Sequence, residues 1–191
     1  MIFSKSNFYI SPEDYLEGEQ VSPIKHEYRR GPVYAMVGTK KPHIVIAGNL
    51  VTLFNNYLGD TPCIVLNSDI KVRLEEGDCY YYPDVAVTCE ERDTNSIEDF
   101  ILYPILVVEV LSKSTEAFDK GENFADYQTL PFLREYVLVN QSRMSIESFR
   151  FSESGSWVFK TYEQGSEIYF TSINFHCDIA SIYRKVPGIL T

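Results

Sequence analysis

A single carboxylate interrupts a strongly apolar stretch of the chain. Residues 103–112 read YPILVVEVLS, and Glu109 is the charged side chain among them. Side chains alternate across a strand, so Glu109 shares a face with Val107 and Leu111 and breaks an apolar surface. A buried carboxylate without a partner is costly, so we expect it to be paired, protonated or bound to a metal ion. The alternative is an edge strand or a strand end, where Glu109 reaches water.

A second carboxylate, Asp84, begins the preceding strand-like stretch. It follows Pro83 in YYYPDVAV, and this dipeptide alone is a weak signal because it is common in turns. The pairing with Glu109 makes it stronger, because two carboxylates on neighbouring strands can share a divalent ion with oxygen ligands. The pair predicts a site for Mg²⁺, or for Mn²⁺, at the rim of a sheet.

Helices and strands that could position these acids follow one another along the 191 residues. Ser11 and Pro12 open a short helix, HEYRRGPVYAMVG predicts a hairpin, and residues 41–58 space their apolar side chains at helical period. CIVLNSDIKVRL and YYYPDVAVTCE predict strands before the Glu109 strand, and STEAFDKGENFADYQTL predicts a second long helix after it. Four strand-like stretches and a closing helix in CDIASIYRKV follow. This order predicts one α/β domain over residues 1–191, with a central mixed β-sheet flanked by helices.

The net charge of −10 restricts how the chain can bind nucleic acid. A protein that binds DNA over its whole surface is usually basic, so contact with DNA should be local or assisted by metal. KHEYRR and TKKPH are the candidate basic patches, and each is equally well explained as a solvated face. The four cysteines lack metal-ligand spacing and predict thiols of a reducing cytoplasm. We find no apolar signal core and no membrane span, which predicts a cytoplasmic protein with no membrane partner.

The motifs YYPDVAV, PILVVEVLS and FDKGENFADY, in this order, resemble the Uma-type (Uma two) family of bacterial endonuclease-like proteins. That family belongs to the PD-(D/E)XK, or restriction-endonuclease-like, superfamily, and the resemblance extends from PEDYLEGE to the C-terminal strands. It implies a restriction-endonuclease-like core of αβββαβ order and metal-dependent hydrolysis of phosphodiester bonds in DNA. It also implies that Asp84 and Glu109 bind the metal, with the backbone carbonyl of Val110 or Leu111 completing the shell.

The chain departs from the family pattern at the lysine. The superfamily places a lysine two residues after the second acid, where this chain has Leu111. The Uma-type pattern resembles D-x-G-x-K-x-x-x-Y on the next helix, and here the lysine position is Asn123. Asn123 can hold a water molecule but carries no charge, so the resemblance implies reduced activity. Lys120 on the same helix and Lys113 after the strand are candidate replacements, and each is alternatively an ordinary exposed lysine near a helix end.

Three further residues match the family pattern. Glu27 is a candidate additional acid near the metal, or else a solvated strand residue paired with Arg29. His43 begins the long helix and is a candidate to contact a phosphate or orient water, or else a polar surface residue. Tyr127 is expected to pack the helix against the sheet with its hydroxyl near the site.

The sequence therefore predicts a Mg²⁺-dependent DNA endonuclease whose activity is reduced by Asn123. A homodimer is expected, because paired nicks on a duplex suit two-fold symmetry. One alternative is an inactive nuclease fold that serves as a nucleic-acid-binding or protein-interaction module. The other is a structural protein in which a lysine or arginine merely pairs with Glu109.

Overall fold

The computed structural model describes residues 9–36, 38–76, 78–112 and 116–189. The α-helices are α1 (Pro12–Val21), α2 (Lys41–Leu58), α3 (Glu91–Thr94), α4 (Glu116–Phe118), α5 (Phe124–Tyr127) and α6 (Ile179–Ile182). A π-helix covers Asp119–Asn123 and a 3₁₀-helix covers Thr171–Ile173. The strands are β1 (His26–Arg29), β2 (Val33–Ala35), β3 (Ile64–Asn67), β4 (Lys71–Leu74), β5 (Cys79–Tyr81), β6 (Val85–Thr88), β7 (Phe100–Ile101), β8 (Leu106–Leu111), β9 (Glu135–Asn140), β10 (Ser145–Phe151), β11 (Trp157–Glu163), β12 (Glu167–Phe170) and β13 (Phe175–Asp178).

A mixed sheet forms the centre of the fold. Within the described ranges it has six strands in the order β11-β10-β9-β8-β6-β3. β8 and β9 are parallel, and the other neighbouring strands are antiparallel. β8 lies inside the sheet with all six residues buried. The predicted central mixed sheet is confirmed.

Apolar side chains cover both faces of this sheet. Val108 and Val110 on one face pack in a cluster with α2, whose buried residues Ile46, Leu50 and Phe54 recur every four positions. The opposite face carries a second cluster, which includes Val107, Leu111, Tyr127 and Tyr136. Glu109 lies on this second face by strand alternation, as predicted.

A second sheet lies among elements that the sequence analysis treated as part of the first. In the described part of the chain its strands run in the order β2-β1-β5-β4-β7. Each predicted strand around Asp84 is in fact two strands. A turn after Asn67, whose Oδ1 accepts from Asp69 N at 3.0 Å, separates β3 from β4. Pro83 and Asp84 likewise separate β5 from β6, because proline cannot donate to a ladder.

The N-terminal elements match their sequence signals. Ser11 Oγ accepts from Asp14 N at 3.1 Å and caps α1. The β1–β2 hairpin turns through Arg30 and Gly31, both at positive φ. At Gly31 a side chain would also collide with the Tyr9 ring, since an added Cβ would lie 2.6 Å from it. Glycine is therefore required there.

Two predicted helices differ from the structure. The second long helix is divided into α4, the π-helix and α5. Within the π-helix, the carbonyl of Asp119 accepts from the Tyr136 hydroxyl at 3.0 Å, which ties the segment to β9. The closing helix is only Ile179–Ile182, because Cys177 and Asp178 belong to β13.

The cysteine prediction was wrong for one pair. Cys63 and Cys89 form a disulfide across the antiparallel strands β3 and β6. They lie just outside the pair Ile64–Thr88, so the register sets them opposite each other. Cys79 and Cys177 remain thiols. No helix in the described ranges is long and apolar enough to cross a membrane.

Candidate active site

Asp84 and Glu109 come together where β6 begins. Val85 pairs with Val108 in the antiparallel strands β6 and β8. Asp84, which precedes Val85, therefore lies opposite Glu109, which follows Val108. Asp84 N donates to Glu109 Oε2 at 3.4 Å. Glu109 is only 8% exposed and lies on an interior strand, so the edge-strand alternative is wrong.

The backbone after Glu109 also reaches Asp84. Val110 N donates to Asp84 Oδ2 at 2.7 Å. The N–H and C=O of one strand residue point to the same side, so the Val110 carbonyl also points toward the β6 side of β8. The register pairs of β6 and β8 end at Val85–Val108, and Val110 lies beyond them.

His43, in the first turn of α2, makes a further contact with Asp84. Its Nε2 lies 2.6 Å from Asp84 Oδ1. Its Nδ1 is buried and has no hydrogen-bond partner among the described residues. The contact holds the His43 ring beside Asp84. His43 is therefore not an ordinary polar surface residue, which was the alternative prediction.

Glu27 lies in the second sheet and faces the same cleft as Asp84 and Glu109. Its Oε1 accepts from Tyr82 N at 3.3 Å. The predicted alternative, a pair with Arg29, is not formed. Arg29 instead donates to Asp126 at 2.9 Å and forms an ion pair with Glu122.

Several carboxylates lie close together in this cleft and repel one another. Burial raises the pKa of Glu109 well above its usual range, and the nearby Asp119, Asp84 and Glu27 raise it further. Burial also raises the pKa of Glu27, to about 8, although the Tyr82 N–H opposes that shift and Asp119 and Asp84 add to it. A bound cation would relieve this repulsion.

The π-helix brings Asn123 against Glu109. Asn123 is 2% exposed, and its Nδ2 donates to Glu109 Oε1 at 3.4 Å. Its Oδ1 is buried without a hydrogen-bond partner in the described ranges. Asn123 therefore occupies a place beside the acid, as the family pattern implied.

Tyr127 packs between the helical segment and the sheet. Its ring centroid lies 5.4 Å from that of Tyr136 and 5.6 Å from that of Tyr81. Its hydroxyl is buried and lacks a partner among the described residues. Burial raises the pKa of this hydroxyl, and Glu109 raises it further. The packing role is as predicted.

The two candidate lysines are not brought to the acids. Lys120 Nζ lies 2.7 Å from Glu147 Oε1 and 3.0 Å from Glu116 Oε1. These two ion pairs hold its ammonium over β10, and Lys120 is not among the described residues that line the cleft. Lys113 lies outside the described residues.

Glu27, His43, Asp84, Glu109 and Asn123 line a cleft of about 840 Å³. Its wall includes the first turn of α2 and the residues after β8 and β9, such as Ser112 and Gln141. Of the described lysines and arginines, Lys25 and Lys40 reach it. The Lys25 ammonium is engaged, because it donates to Ser68 O at 2.7 Å and pairs with Asp69.

The donor chemistry fits a hard divalent cation. Asp84, Glu109 and the Val110 carbonyl offer oxygen ligands, which Mg²⁺ prefers. A carboxylate accepts at several lone pairs, so the contacts of Asp84 with His43 and Val110 leave it able to bind an ion. Among the described residues, no group of three or more His, Cys, Asp or Glu is placed to hold a metal. Other ligands would therefore have to come from backbone, water or substrate.

Asp119 and Gln141 line the cleft, although neither was a candidate site residue in the sequence. Asp119 was noticed only as a match to the family motif, although its charge acts on both Glu27 and Glu109. Gln141 had no signal at all, since it follows an ordinary strand in a polar turn.

Comparisons with known proteins find matches over most of the chain. A family model described as "Uma2: Putative restriction endonuclease" matches residues 12–175. The Synechocystis sp. protein slr1290 is 42% identical over 175 residues, 92% of each chain. A second Synechocystis sp. protein, sll1609, is 30% identical over 164 residues, 85% of this chain and 93% of the other. Both relatives carry the description "uncharacterized protein".

One solved structure supports the fold alone. It is the crystal structure of "a putative nuclease belonging to DUF820" from Anabaena variabilis, with a TM-score of 0.73 and 16% identity. The match covers 91% of this chain and 97% of the other.

Proposed function

Because the chain belongs to the Uma2 family, described as "Putative restriction endonuclease", we propose that it is a metal-dependent endonuclease acting on DNA phosphodiester bonds. One observation carries the proposal. Asp84, just before β6, lies beside Glu109 of β8 in a cleft where burial raises the pKa of Glu109 and of Glu27, and the neighbouring Asp119 and Asp84 raise both further.

Each residue has a task that its position supports. Asp84, Glu109 and the Val110 carbonyl would hold Mg²⁺ or Mn²⁺. When bound, the ion would neutralise charge on the phosphate and lower the pKa of a water molecule. His43 orients Asp84 through their 2.6 Å contact. Asn123 can fix a water molecule by hydrogen bonding, but it supplies no charge to the transition state.

Turnover is therefore expected to be slow. A positive charge at such a site typically contributes on the order of 10²-fold in rate. Asn123 lacks this charge, and Lys120 is engaged with Glu147 and Glu116. The same observation supports the second candidate function, a nuclease fold that binds nucleic acid without cutting it.

Plasmid cleavage and thermal unfolding together test the proposal. Wild type should nick supercoiled plasmid in Mg²⁺ or Mn²⁺, and EDTA should stop it. The divalent ion should raise the Tm of wild type by mass action but not that of Asp84→Asn. Asp60→Asn, an exposed acid outside the cleft, is the control and should behave like wild type.

The two measurements separate the candidates. A Tm rise without cleavage would favour the binding module. An equal Tm rise in wild type and Asp84→Asn would exclude Asp84 as a ligand.

A further inference from the structure

The outer strand β11 leaves one of its backbone edges unpaired. It lies at the end of the six-stranded sheet, where its one strand neighbour within the described ranges is β10. The two strands pair continuously from Ser145–Glu163 to Phe151–Trp157. Proteins usually protect an edge strand with a proline, a bulge or several charges. β11 has neither a proline nor a bulge, and Lys160 is its one charged residue before the last position.

The hydrogen bonds of the neighbouring strand show which residues of β11 point to the open edge. Phe151 N donates to Arg134 O at 2.9 Å, on the β9 side, so the pair Phe151–Trp157 is not hydrogen-bonded. Trp157 therefore directs its N–H and C=O away from β10. Bonded and non-bonded pairs alternate along antiparallel strands, so Phe159 and Thr161 also direct theirs to the open edge.

Apolar side chains accompany these backbone groups. Phe159 is 54% exposed and Val158 is 47% exposed, and the two lie on opposite faces of the strand. The Phe159 ring packs on Phe149 of β10, with ring centroids 5.0 Å apart. At the other edge of the sheet, Val65 of β3 packs against the core. The β11 edge thus combines free backbone groups with exposed apolar surface, which suits the addition of another strand.

We propose that β11 pairs antiparallel with β11 of a second copy of this chain, with Phe159 on the two-fold axis. Trp157 then lies opposite Thr161 of the second copy. Val158 lies opposite Lys160, and Phe159 lies opposite itself. The three outward-pointing residues meet outward-pointing residues, and each such pair exchanges two hydrogen bonds, about six in all. The inference is independent of the proposed function and gives the expected homodimer a defined surface.

Charge and overlap favour this register over its neighbours. With the axis at Lys160, two ammonium groups would lie opposite each other, which is unfavourable. With the axis at Thr161, the Phe159 ring would face Glu163. With the axis at Val158, only three residues of each strand would overlap, because β11 begins at Trp157. With the axis at Phe159, no like charges are opposed, the two rings form a cross-strand aromatic pair, and the alkyl stem of Lys160 covers Val158.

Sedimentation velocity of the full chain, over a concentration series through the micromolar range, tests the pairing. The contact is at the small end for specific interfaces, so we expect a dissociation constant of roughly 1–100 μM. Phe159→Glu and Phe159→Lys should each stay monomeric, because each places like charges opposite each other on the axis. An equimolar mixture of the two variants should recover the dimer. Tyr169→Glu, at an exposed aromatic residue of β12, is the matched control and should dimerise like wild type.

Cross-linking tests the register. Residues in a bonded antiparallel pair have Cα atoms about 5.5 Å apart, which a disulfide can span. Phe159→Cys should therefore give a covalent dimer on oxidation with copper–phenanthroline. Lys160→Cys should not, because its two Cα atoms would be roughly 8 Å apart. Wild type, which has the thiols Cys79 and Cys177, measures the background.

Three results would overturn the inference. The first is a wild type that stays monomeric throughout the series. The second is a dimer that survives both charge substitutions at Phe159 with unchanged affinity. The third is cross-linking through Lys160→Cys but not through Phe159→Cys, which would exclude the proposed register. If the charged variants lose their wild-type Tm, the two cysteine variants decide.

Discussion

Asn123→Lys should raise nuclease activity, because it places an ammonium beside Glu109. The present amide nitrogen is 3.4 Å from Glu109 Oε1, and a lysine side chain is long enough to reach the same carboxylate. It would also approach Asp119 and Glu27, whose charges already act on Glu109. The substitution therefore lowers the pKa of Glu109 and adds a charge where the phosphate would bind.

The magnitude follows from simple electrostatics. Two unit charges about 4 Å apart attract by about 4 kcal/mol at an effective dielectric constant of about 20. Desolvation of the buried ammonium offsets part of this gain. A remainder of about 2.7 kcal/mol in the transition state corresponds to roughly 10²-fold in rate.

The assay is the initial rate of plasmid nicking in Mg²⁺ and in Mn²⁺. Asn123→Met, with a side chain of similar length and no charge, is the control and should be no faster than wild type. Metal-induced Tm shifts show whether each variant still binds the ion. If Asn123→Lys binds metal yet cuts no faster than Asn123→Met, the missing lysine is not what limits catalysis. That result would favour the second candidate function, a nuclease fold that binds nucleic acid without cutting it.

The remaining predictions concern charges around the cleft. Lys120→Ala should leave nicking within about twofold and cost less than about 1 kcal/mol of stability, since its ion pairs are partly exposed; loss of nicking would return Lys120 to the site. The pKa of Glu27 is about 8 in the folded protein against an ordinary 4.5, so the folded state binds more protons between these values. Metal-free stability should fall by several kcal/mol as pH rises from 4.5 to 8, at about 1.4 kcal/mol for each pH unit between the two pKa values, and Glu27→Gln should flatten the urea-unfolding profile. Asp126→Asn should cost roughly 3 kcal/mol because it breaks a buried contact with Arg29, whereas Tyr81→Phe should cost about 1 kcal/mol, both by urea unfolding; equal small losses would contradict the network.

The meeting of Asp84 and Glu109 could be predicted because strand alternation is a local property. One carboxylate in an apolar strand and another at the start of the preceding strand were enough to expect a shared edge. The family resemblance, confirmed by the family model over residues 12–175, added Asn123, Glu27 and His43 to the same region. Their roles as ligands and catalytic groups remain predictions.

Other features depend on contacts between distant parts of the chain. Lys120 was a reasonable candidate by helical spacing. Its partner Glu147 lies on β10, and the sequence around Lys120 gives no sign of that ion pair. The disulfide follows from the pairing of β3 with β6, which sets Cys63 opposite Cys89. The spacing of the cysteines in the sequence does not show which strands pair or in which register, so it does not predict this disulfide.

The second sheet was missed for a related reason. The stretch from Ile64 to Leu74 has continuous strand character, and its division depends on the Asn67–Asp69 turn. Turn residues allow such a break but do not say that the two halves join different sheets.

Because Asp119–Asn123 form a π-helix, the number of residues in this segment affects which side chain lies beside Glu109. A π-helix bonds each residue to the fifth one along, so it accommodates an extra residue compared with an α-helix of the same span. Deleting one residue between Phe118 and Phe124 would let the turn close as an α-helix. Because the wide turn already absorbs that residue, the side chains on either side would keep their relative orientation, and only those within the turn would move. In relatives of this chain with one residue fewer here, Phe124 and Tyr127 would keep their places on the sheet, while the residue of the turn that faces Glu109, here Asn123, would be repositioned.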